Sequence, residues 1–268
     1  DYNLSLKNIN IPEVGNLDII RDTIINIDIK NLKNEEHIFY WGKNYGPIIL
    51  RVNSVENEDL YSKLIESGKQ SDSFSLLTKT NLRVSENIIT YIDLGFKHII
   101  PKGLDHILFV LALFLLSSKL RPLILQVSIF TLSHTITLFL GVFDIINISP
   151  QIVEPLIALS ICFVAIENLF TEKLMKLRPY IIFFFGLLHG LGFAGILNEI
   201  GVSEGTFIIS LISFNLGVEL GQIGVIILSY LFIALIFQKK KWYRNRVTKP
   251  LSTIIALVGF YWFIQRLI

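Results

Sequence analysis

Apolar and polar positions follow two different rhythms along the chain, and the rhythm changes near residue 92. From Asp1 to about Thr90, short stretches of alternating character are separated by Gly, Pro and Asn. A period of two predicts strands, and Asn3 to Ile11, Thr23 to Ile29, Ile48 to Val52 and Leu76 to Leu82 carry it, while Glu58 to Ser67 reads as a helix. From Leu104 onward the pattern is one of long apolar runs: Leu104–Ser117, Pro122–Val142, Ile152–Phe170, Pro179–Asn198, Phe207–Phe237 and Leu251–Leu267. Crossing a bilayer takes about 20 apolar residues. The first run is short, but Asp93 to Ile100 extend it, with Pro101 and Gly103 breaking or re-angling the helix; the fifth is long and must tilt or protrude. The expected architecture is an all-α polytopic membrane bundle of about six transmembrane helices over residues 93–268. A small β-rich extracytoplasmic domain, residues 1–92, precedes it.

Composition sharpens this picture. The chain is 52% hydrophobic with a mean hydropathy of +0.58, too apolar for an ordinary soluble domain. A net charge of +2 gives no electrostatic case for nucleic acid. Basic residues collect in alternate loops: Lys119 and Arg121 in the first, Lys173, Lys176 and Arg178 in the third, and Lys239, Lys240, Lys241, Arg244, Arg246 and Lys249 in the fifth. The second and fourth loops carry no Lys or Arg. Positive loops stay inside, which puts the N-terminal domain and the C-terminus outside and implies a cleaved secretory signal ahead of Asp1. Cys162, the sole cysteine, excludes a disulfide within the chain. In the N-terminal domain, Tyr40 and Trp41 are expected to pack in the core rather than bind an extracytoplasmic ligand or protein. His37 is expected on the solvated surface.

Candidate chemistry lies in the apolar half. The stretch GFKHIIPKGLDHILFVLALFLL at 95–116 packs His98, Asp105 and His106 against the head of an apolar run, and ionisable groups placed so mark a functional site. Four of the five histidines fall here: His98, His106, His134 and His189. Asp105, Glu154, Glu167 and Glu219 join them. Imidazole with carboxylate suits nickel, zinc, copper or iron; it also suits a proton relay. Thr131 and Thr135 share a helix face with His134 and are placed to orient its ring. Glycines surround His189 in FGLLHGLGFAG, where close helix packing and the shaping of a site are equally open readings. Asn215, Glu219 and Gln222 form one polar stripe, with Gly217, Gly221 and Gly224 on another face; Glu167 stands beside Asn168. At about 1.5 Å rise per residue, His134 lies about 20 Å and His189 about 15 Å from the inner ends of their helices. Asp105, His106, His134 and His189 are expected to converge in the outer half of the bundle, with Glu219 and Glu167 further in.

These motifs resemble the HupE/UreJ family of membrane proteins. The matching pieces are HIIPKGLDHILF at 98–109, FTLSHTITL at 130–138, VEPLIALSICFVAIEN at 153–168, FGLLHGLGFA at 185–194 and FNLGVELGQ at 214–222. The resemblance implies a nickel or cobalt permease of the bacterial cytoplasmic membrane, in contact with lipid. It would take a divalent metal (nickel, cobalt or zinc) on His106, Asp105, His134, His189 and His98. Glu154, Glu167, Asn168, Asn215, Glu219 and Gln222 would serve translocation or support. The alternative is an intramembrane zinc-dependent hydrolase with a His-ligated metal near the outer leaflet, in which Asp105 or Glu219 activates a bound water. A structural or proton-coupled role stands third.

Overall fold

The computed structural model describes residues 3–10, 24–30, 36–44, 48–53, 59–65, 67–76, 84–143, 145–200 and 207–268. The chain separates into two compact units, Asp1–Asn81 and Leu82–Ile268.

The first unit is built from antiparallel strand pairs. Strand β1 (Asn3–Asn10) pairs with β2 (Ile24–Lys30), setting Leu4 against Ile29 and Leu6 against Ile27. Strand β3 (Glu36–His37) pairs with β6 (Phe74–Ser75), and β4 (Ile48–Asn53) with β5 (Asp59–Ile65). Strand β5 corrects the expected helix at Glu58 to Ser67. Short apolar segments fit either period, and pairing decides this one: Val52 lies opposite Tyr61 and Ile48 opposite Ile65. Leu60, Tyr61, Ile65 and Phe74 are buried, with the Tyr61 and Phe74 rings stacked 4.7 Å apart. Tyr40 is 61% exposed, contrary to core packing, while Trp41 is half-buried against Phe39 at 6.2 Å. His37 is half-buried beside Phe74 rather than solvated. Of the expected strand at Leu76 to Leu82, residues 77–82 lie outside the described residues.

The second unit is helical. Its helices are α1 (Val84–Ile99), α2 (Leu104–Leu116), α3 (Leu120–Val142), α4 (Pro150–Phe170), α5 (Arg178–Ile200) and α6 (Phe207–Ser229). A π turn (Tyr230–Ala234) carries α6 into α7 (Leu235–Phe237), and a second (Arg244–Thr248) leads into α8 (Lys249–Leu267). Among the described residues, four helices are long and apolar enough to cross a membrane. The pair α1–α2 forms a fifth candidate span, bent by 70° at its break. Helix α1 begins at Val84, so the helical unit starts ahead of the boundary expected at residue 92.

Three helix pairs pack closely: α1 on α6, α3 on α5 and α4 on α8. Lipid tails are as apolar as leucine, so association inside a bilayer rests on close packing of small residues. A methyl at Gly95 would lie 1.9 Å from the Phe214 carbonyl oxygen, and one at Gly217 would lie 2.0 Å from that of Ile92. Gly186 and Gly190 do the same for α5, facing Ser133 and the His134 carbonyl on α3. Gly186 and Gly190 therefore serve helix packing, and that packing sets the height of His189 against His134.

Candidate metal centre

The break between α1 and α2 arises from residues 100–103. Pro101 supplies no N–H, and a methyl on Gly103 would lie 2.3 Å from the His98 carbonyl oxygen, so the turn closes only over glycine. Freed backbone groups must be satisfied within the protein. Gly103 N–H donates to the Ile99 carbonyl at 3.0 Å and Ile107 N–H to that of Gly103 at 2.9 Å. The joint thus brings His98, at the end of α1, to face His106, in the first turn of α2, with ring centroids 4.9 Å apart.

The other two histidines close on this pair from α3 and α5. His134 stands 5.9 Å from His106 and 6.2 Å from His98, and His189 stands 4.9 Å from His106, all between ring centroids. One ring nitrogen from each of His98, His106 and His134 lies within 4.8 Å of the others. Metal–imidazole bonds of about 2.0–2.1 Å put the nitrogens of a tetrahedral site about 3.4 Å apart, so ligation by this set would draw the three rings together by up to about 1.4 Å. His106, His134 and His189 are buried at 6%, 0% and 2% exposure. His106, His134 and His189, three of the four residues expected to converge, lie together about His106.

The walls are aromatic. Phe193 and Phe214 stand 4.1 and 5.6 Å from His98, and Phe130 lies 4.9 Å from His189. Phe109, Phe130 and Phe214 are themselves buried. In this apolar enclosure His98 Nε2, His106 Nε2, His134 Nε2 and His189 Nδ1 have no hydrogen-bond partner among the described residues. Orphaned buried polar atoms are rare and need an explanation. Three of them, on His98, His106 and His134, lie close enough together to fit one cation that accepts nitrogen lone pairs, and His189 adjoins that set through His106.

The carboxylates are differently engaged. Asp105 adjoins His106 in sequence, yet its carboxylate accepts two hydrogen bonds from the Arg266 guanidinium, at 3.0 and 3.3 Å. Arg266 also donates to the Glu154 carbonyl at 3.3 Å and lies over the Trp262 ring. Glu167 pairs with Arg178, whose Nε donates to Gln126 Oε1 at 2.8 Å. Arg178, counted above among the loop charges, is 2% exposed and so turned into the bundle. Glu219 accepts from the Ser128 hydroxyl at 2.6 Å, and Gln222 from that of Thr131 at 3.0 Å. Asn168 donates to the Ala112 carbonyl at 2.8 Å and to the Ser252 hydroxyl at 3.1 Å, tying α4 to α2 and α8. Asn215 alone of these polar side chains is hydrogen-bonded to a histidine of the cluster, His134, at 3.3 Å. Sequence reasoning missed Arg266, Arg178 and the phenylalanine wall. The signal for both arginines was available: an acid inside an apolar helix demands a cationic partner.

Apolar helices of spanning length, a broken helix and a buried histidine cluster define an integral membrane protein with a candidate intramembrane metal site. The chain belongs to the HupE / UreJ protein family, whose family model matches residues 75–266. No curated protein and no solved structure matches it.

Proposed function

We propose that the protein is a permease for a divalent transition-metal cation, nickel or cobalt in keeping with the family's link to uptake of these metals, with His98, His106, His134 and His189 as its binding station. The observation that carries this reading is the set of four unpartnered imidazole nitrogens enclosed by phenylalanines. Neutral nitrogen donors favour nickel, cobalt, copper or zinc over magnesium and calcium, which take oxygen. A cation leaving the cluster has a run of polar groups ahead of it between α3 and α6. Asn215 stands at His134, Gln222 at Thr131 and Glu219 at Ser128. That run descends α3 toward its first turns, on the side of Lys119 and Arg121. By loop charge this side is cytoplasmic and the transport is import, with the N-terminal domain and the C-terminus extracytoplasmic.

The transport reading is preferred to metal-dependent hydrolysis because both carboxylates proposed to activate water are engaged elsewhere, Asp105 by Arg266 and Glu219 by Ser128. The test is nickel entry into proteoliposomes that enclose a nickel-responsive dye. Wild-type protein fills the vesicles, His106→Ala does not, and Glu219→Gln slows filling while the detergent-solubilised protein still binds nickel. Wild-type protein that binds nickel and admits none would overturn the permease reading.

A further inference from the structure

The geometry points to Asn215 and Ser160 as positioning residues that fix His134 and His189 in opposite tautomers, so that Nε2 of one and Nδ1 of the other, the two unpartnered nitrogens, carry ready lone pairs. The ligand these lone pairs receive rests on the metal reading above; the tautomers themselves do not.

The His134 ring is constrained by Asn215. Its Nδ2 donates to the Leu211 carbonyl at 2.9 Å, one turn back along α6. Rotating the amide would set two acceptor oxygens against each other at that distance, so the orientation of Asn215 is settled by its own helix. Its Oδ1 therefore faces His134 Nδ1 at 3.3 Å. An oxygen that only accepts requires a donor opposite it, so the proton of the neutral ring sits on Nδ1. Nε2 is left with its lone pair, and it is the nitrogen of this buried ring without a partner.

For His189 the fixed point is Ser160. Its hydroxyl lies 2.7 Å from the Ile157 carbonyl oxygen. Two oxygens that close need a proton between them, and the hydroxyl has only one to give. Ser160 Oγ must then accept from His189 Nε2–H at 3.1 Å. The lone pair falls on Nδ1, again the unpartnered nitrogen. Neither residue is offered as a ligand. Each acts through a histidine, as outer partners of metal-ligating histidines do, and both are buried, at 5% for Asn215 and 1% for Ser160.

The experiment uses full-length protein in lipid nanodiscs, with histidine labelled for nitrogen NMR and the two rings assigned through His134→Gln and His189→Gln. In the metal-free wild type, His134 shows the Nδ1-protonated form and His189 the Nε2-protonated form. Ser160→Ala, a mild change inside a helix, turns His189 into a mixture of tautomers and weakens nickel binding by roughly 10–100-fold, whereas Ser160→Thr keeps the hydroxyl and both properties. Asn215→Leu does the same to His134. The inference is overturned if the two rings share one tautomer in the wild type, or if Ser160→Ala moves neither tautomer nor affinity. Opposite tautomers in a protein that binds no nickel would uphold the positioning roles and overturn the metal reading. Nickel binding by rings of like tautomer would do the reverse.

Discussion

Two sets of polar groups lie within the same apolar bundle, and they are treated in opposite ways. The carboxylates Asp105 and Glu167 each meet an arginine, and Glu219 meets a serine hydroxyl. The histidines meet one another and phenylalanine, and each keeps a bare nitrogen. A buried charge without a partner costs several kcal/mol, whereas a neutral imidazole can wait at far less cost. Paired carboxylates act as braces. Helix α4 carries Glu154 near one end, its carbonyl held by Arg266, and Glu167 near the other, held by Arg178, about 20 Å apart at 1.5 Å per residue. Between those ends Ser160 meets the neutral ring of His189.

This contrast can be broken first at the innermost brace. Glu167→Gln leaves the Arg178 guanidinium, 3% exposed, without its counter-charge. Loss of one partner of a buried pair costs about 3–5 kcal/mol. A sharp drop in the denaturation midpoint with nickel affinity retained is expected; the opposite pattern would make Glu167 part of the metal site. The next effect in size is at the histidines. His106→Ala removes a proposed ligand, and loss of at least about 100-fold in nickel affinity, about 2.8 kcal/mol, is expected by calorimetric titration, with a smaller change in midpoint than Glu167→Gln.

Asp105→Asn tests the carboxylate closest in sequence to the cluster. Its pair with Arg266 is 15% and 22% exposed, between surface and interior, so a loss of about 1–2 kcal/mol in stability is expected. Nickel affinity should fall less than in His106→Ala. Arg266→Gln should match it, and the double variant should be no worse than either single change. The smallest effect is at Ser128→Ala, which removes one hydrogen bond from half-buried Glu219. A change of about 1 kcal/mol or less in stability and none in nickel affinity is expected. A large loss of affinity there would move Glu219 into the ligand set.

The sequence carried the helices because long apolar runs leave little freedom. The spans from Pro122 and Ile152 reappear as α3 and α4 within a few residues, and that from Phe207 as α6, its π turn and α7 together. It also carried the histidines, since each is an anomaly against its neighbours. Their partners were less legible. Asp105 reads as a ligand when its nearest neighbour in sequence is His106, but helical residues that are adjacent point apart, and only the fold brings in Arg266 from the far end of the chain. Arg178 looked like a loop charge because it abuts Lys173 and Lys176, and its inward turn depends on Glu167 and Gln126. The β5 strand was lost to a short segment compatible with both periods, which the register with β4 resolves.

The central claim is that imidazole nitrogens, not carboxylate oxygens, hold the cation. X-ray absorption at the nickel edge of the loaded full-length protein reads this directly. One bound nickel is expected, with a nitrogen first shell and the outer-shell scattering of at least three imidazole rings, reduced by one ring in His106→Ala and unchanged in Asp105→Asn. A first shell of oxygen without imidazole scattering, or the loss of a first-shell oxygen in Asp105→Asn, would contradict it.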